Sequence, residues 1–285
     1  MTIDQASDQP LPMSETQDSR QEHFDNVAEA FSRKATVYDA FGENHVNLAR
    51  MRRKFYNHIE RVMPEGGHLL EINAGTGQDA VELARRGYRV HATDFAPGMI
   101  AQIEKKIGRF DLGDRMTVQA CSFTELHRMI GGPFEGLYSN SGGLNCIADL
   151  TEVTRQLPDL LRPGARVTWV IMPRVCPWEL AITAKDFRVG TRRLRRSGIV
   201  AHVEGVYFRT HYFTARETQR AFGPRFRRVR LEGLSVFTPP ADNKTFAVNH
   251  ERVYGALVRL DDALSTRRPF SGWGDFFILT MEFTG

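Results

Sequence analysis

"LLEINAGTGQDAVELA", residues 69–84, passes from an apolar strand through a glycine-bearing turn into a helical pattern. Such a run, too apolar to keep one face in water, is how a strand buried on both sides of a parallel sheet reads. Gly75, Gly77 and Ala80 have the Gly-x-Gly-x-x-Gly/Ala spacing of the dinucleotide turn, whose helix start holds a pyrophosphate. Glu71 fits that ligand poorly, because a carboxylate on the strand repels the anion; it suits a ligand that carries a cationic amine. Asn73 is compatible with a tight turn, since asparagine enters the left-handed region more readily than other non-glycine residues. Gly75 and Gly77 let the backbone approach a ligand closely.

Outward from this stretch, strand and helix patterns alternate. The strands are expected at 68–72, 88–93, 115–120, 134–139 and 165–172, with helices at 80–86, 97–107 and 150–161. This alternation predicts parallel strands joined by crossover helices, a doubly wound sheet. Residues 1–22, rich in Asp, Gln, Ser and Pro, are expected to form a disordered tail. Residues 23–63 read as two or three helices ahead of the sheet. The core should then span 64–173, an insertion 174–213, and the rest of the core 214–285. In the last segment Thr214 and Glu217 have the spacing of a capping box, and "FRRVRLEGLSVF" and "DFFILTMEF" read as two closing strands. Among the arginines of 225–230, Phe226, Val229 and Leu231 suggest one buried face.

The chain has 285 residues, of which 25% are charged with both signs mixed, as in a globular protein. No apolar run approaches the ~20 residues needed to span a bilayer, and the polar, acidic N-terminus lacks the pattern of a signal peptide. A cytoplasmic location is expected. Cys121, Cys146 and Cys176 are widely spaced and form no C-x-x-C pair, which points to reduced structural thiols rather than a disulfide frame or a metal site. The net charge of +4 is uneven, with arginines concentrated at 188–198 and 225–230. A solvated basic face is the favoured reading of these segments, ahead of a site for an anionic substrate or for nucleic acid.

"EINAGTG" resembles the E/D-x-G-x-G-x-G motif of class I S-adenosylmethionine-dependent methyltransferases, with Asn73 in place of the first glycine. The resemblance continues through "YRVHATDFAPGMI", "VQACSFTEL", "FEGLYSNSGGLNCI" and "LPDLLRPGARVTWV", over roughly residues 68–172, and is similar to the small-molecule group that includes ubiquinone, menaquinone and natural-product enzymes. It implies a Rossmann-like α/β fold: a seven-stranded, mostly parallel sheet with an antiparallel last strand, helices at the N-terminus and a lid insertion in the C-terminal half. It also implies S-adenosyl-L-methionine as cofactor and S-adenosyl-L-homocysteine as product. Asp94, about 20 residues past the glycine turn, takes the place of a ribose-binding acid.

The other cofactor contacts that follow from the resemblance are Tyr38, Arg52, Glu71, Asn73, Ala74, Gly75, Gly77, Phe95, Met99, Ser122, Phe123 and Asn140. Ser141, Asn145, Trp178 and Tyr212 are the substrate-side candidates. His211 and Tyr38 are the candidate bases, with His23, His45 and His202 behind them. No metal is implied. The expected acceptor is a small organic molecule, largely apolar or aromatic, with an anionic group on it and a homodimer left open. Nucleic acid is disfavoured, because the fourth-strand segment "SNSGG" lacks the Asn/Asp-Pro-Pro-Tyr/Phe motif of base-amine methylation. An RNA or protein methyltransferase and a non-catalytic cofactor-binding protein are the alternatives.

Overall fold

Leu69, Leu70 and Ile72 are all shut off from solvent, so the strand they form, β1 (His68–Ile72), has to lie inside a sheet covered on both faces. The computed structural model describes residues 17–182 and 186–285. The remaining strands are β2 (Arg89–Asp94), β3 (Met116–Ala120), β4 (Phe134–Ser139), β5 (Leu161–Ile171), β6 (Ile199–Val203), β7 (Val206–Thr210), β8 (Phe226–Leu234) and β9 (Phe276–Phe283). Seven of them form one sheet in the order β3-β2-β1-β4-β5-β9-β8, while β6 and β7 pair as a separate hairpin. β9 runs antiparallel to both β5 and β8; the other pairings in this sheet are parallel. The expected sheet, with an antiparallel last strand, is therefore present. The strand order reverses between β1 and β4, and in open α/β sheets the crevice at such a switch point takes the ligand.

The helices are α1 (Gln17–Lys34), α2 (Val46–Val62), α3 (Gln78–Arg85), α4 (Pro97–Arg109), α5 (Thr151–Thr154), α6 (Pro177–Ile182), α7 (Phe187–Thr191), α8 (Ala215–Ala221), α9 (Phe246–Asn249) and α10 (Glu251–Leu264). Alternate residues of the sheet feed two cores. Leu70, Ile72, Val167 and Trp169 face one side; Leu69, Val90, Tyr138 and Ile278 face the other, where α2 packs Phe55 and Ile59. Both α2 side chains are fully buried, and truncating Phe55 to alanine would cost about 3–5 kcal/mol. Thr214 caps α8 in the expected capping box, accepting from the Glu217 amide while the Glu217 carboxylate accepts from the Thr214 amide.

Several expectations need correction. Residues 17–22, read as part of a disordered tail, belong to α1; Arg20 pairs with Glu152, and Phe24 packs edge-on against Phe123, so tertiary contacts offset the ordering entropy. The rest of that tail lies outside the described residues. The helix expected over 150–161 stops at Thr154, because Pro158 cannot continue it, and resumes only as a 3-10 turn at Leu157–Asp159. Val229 is 38% exposed rather than buried, since a register shift between Arg228 and Arg230 turns it outward. Nor are the arginines a simple solvated face. Arg192 and Arg193 grip Glu179, Arg227 pairs with Glu282, and Arg230 with Glu232.

Candidate functional site

The turn after β1 needs three left-handed residues close together: Asn73 at φ 59°, Gly75 at 55° and Gly77 at 73°. The two glycines are there for different reasons. A Cβ on Gly77 would stand 2.9 Å from Cγ1 of Ile103, so this glycine lets α3 start against α4. A Cβ on Gly75 would meet nothing within 4 Å, so this glycine leaves an open cradle. The Gly75 amide donates to Oδ2 of Asp94 at 2.8 Å, and the Ala96 amide donates to Oδ1 at 2.9 Å. Burial pushes the Asp94 carboxyl up to about 6, although these amide bonds pull it the other way.

Glu71 lies beneath this turn rather than in the crevice. It is buried and accepts the Tyr138 hydroxyl at 3.1 Å; burial, reinforced by nearby Asp79, holds its carboxyl well above the usual range. Asp79 in turn accepts from the Tyr56 hydroxyl at 2.6 Å and from the Asn140 side-chain amide at 2.8 Å. This polar layer fixes Asn140, which faces the crevice. Asn73 donates its side-chain amide to the Ser139 hydroxyl at 3.2 Å, tying the ends of β1 and β4 together.

The N-terminal helices cover the crevice. Ser32 of α1 sits against Gly98, where an added Cβ would come within 2.7 Å of the Ser32 carbonyl oxygen. Between α1 and α2, Asp39 accepts the Thr76 hydroxyl at 2.6 Å and pairs with Lys106, which clasps the connecting segment to the glycine turn. Tyr38 and Phe41 flank that clasp and face the cavity. Arg52 enters from α2, and its Nε is buried without a hydrogen-bond partner among the described residues.

The resulting cavity has a volume of about 200 Å³, against the roughly 10–15 Å³ that one water needs, so it admits a sizeable organic ligand. It brings together Tyr38, Arg52, Asn73, Gly75, Asp94, Phe95, Met99, Ser122, Phe123, Asn140 and Ser141. Of the cofactor candidates, Glu71, Ala74 and Gly77 do not line it. Four further candidates are also displaced from its wall. Asn145 is a structural clamp, donating to the carbonyls of Met172 and His211 and accepting from the Met172 amide. Trp178 donates to the Phe237 carbonyl at 2.6 Å and packs on Phe246. Tyr212 is buried under the Arg193 guanidinium. His211 lies outside the lining, and burial, aided by Arg209, pushes it down to about 4.

No histidine is among the lining residues. The Cys146 thiol does line the cavity, but burial pushes it up to about 12, so it stays protonated at neutral pH. Burial also raises the Tyr38 phenol, which makes it a hydrogen-bond donor rather than a base. The lining residues that sequence reasoning missed include Phe24, Phe31, Lys34, Met172, Thr210 and Phe276. They come from α1, the end of β5, β7 and the start of β9, and only the tertiary fold collects them.

Residues 69–164 match the family model described as a methyltransferase domain. Among curated relatives, a probable cobalt-precorrin-6B C(15)-methyltransferase (decarboxylating) of Methanothermobacter thermautotrophicus is 33% identical over 98 residues, 34% of this chain and 48% of that protein. A tRNA 5-carboxymethoxyuridine methyltransferase of Escherichia coli is 26% identical over 146 residues, 50% of this chain and 53% of that one. The chain thus spans about half the length of these relatives. Among solved structures, the Burkholderia thailandensis 1,6-didemethyltoxoflavin-N1-methyltransferase, bound to 1,6-didemethyltoxoflavin and S-adenosylhomocysteine, superposes with a TM-score of 0.56. It covers 98% of this chain and 94% of its own at 16% identity. The fold is thus shared along nearly the whole chain, and the match to a methyltransferase domain falls on residues 69–164, within its Rossmann-like sheet.

Proposed function

We propose that this protein transfers the methyl group of S-adenosyl-L-methionine to a small, largely apolar organic acceptor. The observation that carries the reading is the pairing of two groups across one cavity. Asp94, fixed by the Gly75 and Ala96 amides, stands at the end of β2, and a cation with an unpartnered Nε, Arg52, enters from the covering helix. The residues fit the cofactor. Asp94 has carboxylate lone pairs left for the ribose hydroxyls, Gly75 leaves the cradle open, Phe95 and Met99 flank the adenine, and Arg52 answers the amino-acid carboxylate. Bound there, the cofactor supplies an electrophilic methyl group on a sulfonium.

Methyl transfer of this kind is an in-line displacement, so the chain's task is to align, to enclose and to keep water out. Asn140 and Ser141, at the end of β4, orient the reacting end. Phe41, Met51, Met172 and Phe276 supply apolar wall. The lining holds no histidine base and the Tyr38 phenol keeps its proton, so the acceptor brings a nucleophile that needs no such base: an amine lone pair, an activated carbon or an oxygen that is already ionised. Lys34 in the lining would favour the ionised case. Among the described residues no helix is long and apolar enough to cross a membrane, and we place the reaction in the cytoplasm.

Calorimetric titration of the purified protein with S-adenosyl-L-methionine, S-adenosyl-L-homocysteine and NADH tests the reading. Binding of the first two and not the third is the expected result. NADH binding alone would overturn it.

A further inference from the structure

Strand β7 alternates cleanly. Val206, Phe208 and Thr210 point inward and are buried, whereas Tyr207 is half exposed and Arg209 lies nearer the surface. On that inward face Val206 and Phe208 pack with Ala30, Cys146, Ala201 and Val203, against Val27 and Phe31 of α1. The period-two pattern asks for a third apolar residue at position 210. The chain has a threonine there instead, 1% exposed, whose Oγ1 is buried with no hydrogen-bond partner among the described residues. A buried orphan hydroxyl is costly and rare in a settled core, and valine would fill the same space without it. Thr210 is one of the residues that line the cavity.

Its neighbours narrow what it would meet. Val27, Phe31, Cys146 and Val203 line the same cavity and bring no charge to this wall, and the Cys146 thiol stays protonated. An anion set against such a wall, within reach of the Asp94 charge, would lose its hydration without compensation, whereas a neutral oxygen would need just one hydrogen bond. The remaining orphan in the lining, Arg52 Nε, lies on α2 and suits an anion. The two orphans divide the cavity between a charged group and a neutral one.

We infer that Thr210 is a specificity-determining residue whose hydroxyl hydrogen-bonds a neutral hydroxyl or carbonyl oxygen carried on the apolar body of the methyl acceptor. This rests on the methyl-transfer reading for the identity of the ligand, but the orphan hydroxyl and its apolar wall stand without it. An acceptor with that single oxygen is preferred over its hydrocarbon analogue, because the analogue leaves Oγ1 unpaired.

The test uses two small probes, 4-ethylphenol and ethylbenzene, titrated into the full chain with and without saturating S-adenosyl-L-homocysteine. Thr210→Val should weaken 4-ethylphenol by about two- to tenfold, the range of one neutral hydrogen bond. Ethylbenzene and S-adenosyl-L-homocysteine should bind as to the wild type, and Thr210→Ser should restore the phenol. Thr210→Ala takes the place of the valine variant if that one does not fold. Equal losses for both probes, no loss for either, failure of both probes to bind the wild type, or a fall in S-adenosyl-L-homocysteine affinity would each overturn the assignment. Failure of the methyl-transfer reading looks different: the wild type would not bind S-adenosyl-L-homocysteine, while the probe pair would still report on Thr210.

Discussion

Asp94 and Gly75 are joined by a 2.8 Å hydrogen bond from the Gly75 amide to Oδ2, so the acid at the end of β2 and the turn after β1 form one rigid unit. Burial pushes that carboxyl up to about 6. Ribose hydroxyls donate to the ionised form, so affinity for S-adenosyl-L-homocysteine should be highest above pH 7 and fall about tenfold by pH 5 as the carboxyl takes its proton. Stability of the ligand-free protein runs the opposite way. A carboxyl raised on folding favours the folded state at low pH, and that contribution is lost as pH rises from about 4 through 6. Asp94→Ala should weaken binding by about 1–3 kcal/mol and flatten its pH dependence. Calorimetry between pH 5 and 8 checks both, and an unchanged profile in the folded variant would remove Asp94 from the site.

Two glycines two positions apart should respond differently to the same substitution. Gly77→Ala adds a Cβ 2.9 Å from Ile103 at φ 73°, and should destabilise the fold by about 2–4 kcal/mol through backbone strain and overpacking. Gly75→Ala meets no neighbour, so it should cost about 1–2 kcal/mol of stability for its left-handed backbone. Its methyl group would instead fill the cradle and lower S-adenosyl-L-homocysteine affinity by tenfold or more. Urea titration and calorimetry on both variants separate the two effects; unchanged S-adenosyl-L-homocysteine affinity in folded Gly75→Ala would mean that the cradle is not a ligand surface.

Arg52 offers a cation whose Nε has no partner among the described residues, and that arrangement predicts function without stability. Arg52→Met should leave the unfolding midpoint nearly unchanged, since no described ion pair is broken. It should weaken S-adenosyl-L-homocysteine about 10- to 100-fold, the range for a charged hydrogen bond of ~1.5–3 kcal/mol. The informative control is 5′-methylthioadenosine, which lacks the amino-acid end and should bind both forms alike. Equal losses for the two ligands would place Arg52 elsewhere than at the carboxylate.

Where strand and helix patterns alternate, the fold is legible: β1 and β4 lie at the ranges their patterns predict. The capping box at Thr214 was legible for the same reason, because its chemistry is local. What failed was non-local. Trp178, Tyr212 and His211 stand out in the sequence for aromatic and basic character, which marks a packed wall as readily as a ligand site. The position of Glu71 in the motif points to the crevice, and only the fold reveals that its side chain is buried beside Tyr138, its neighbour on β4. Thr210 is not legible in the sequence, because a single threonine in a strand carries no signal until the fold shows its hydroxyl without a partner among the described residues.

Glu179 holds the segment after β5 to the rest of the molecule. Its carboxylate is gripped by Arg192 at 2.7 and 2.8 Å and by Arg193 at 2.9 Å, and Arg193 reaches on to Asp275 at 2.7 Å. Asp275 accepts from the Ala241 amide, and Ala241 lines the cavity beside Phe276. Burial raises the Glu179 carboxyl, but the hydrogen bonds and charges of the two arginines outweigh it and hold the group below the usual range. With the folded value depressed, its stabilisation is present above the ordinary carboxylate pKa and is lost as pH falls below it. Glu179→Ala would leave Arg193, 5% exposed, with Asp275 alone, and should cost about 3–5 kcal/mol. Urea unfolding at pH 7 and pH 4 measures this: the gap between wild type and variant should narrow at the lower pH. A gap that is constant with pH would assign the cost to packing rather than to the ion pairs.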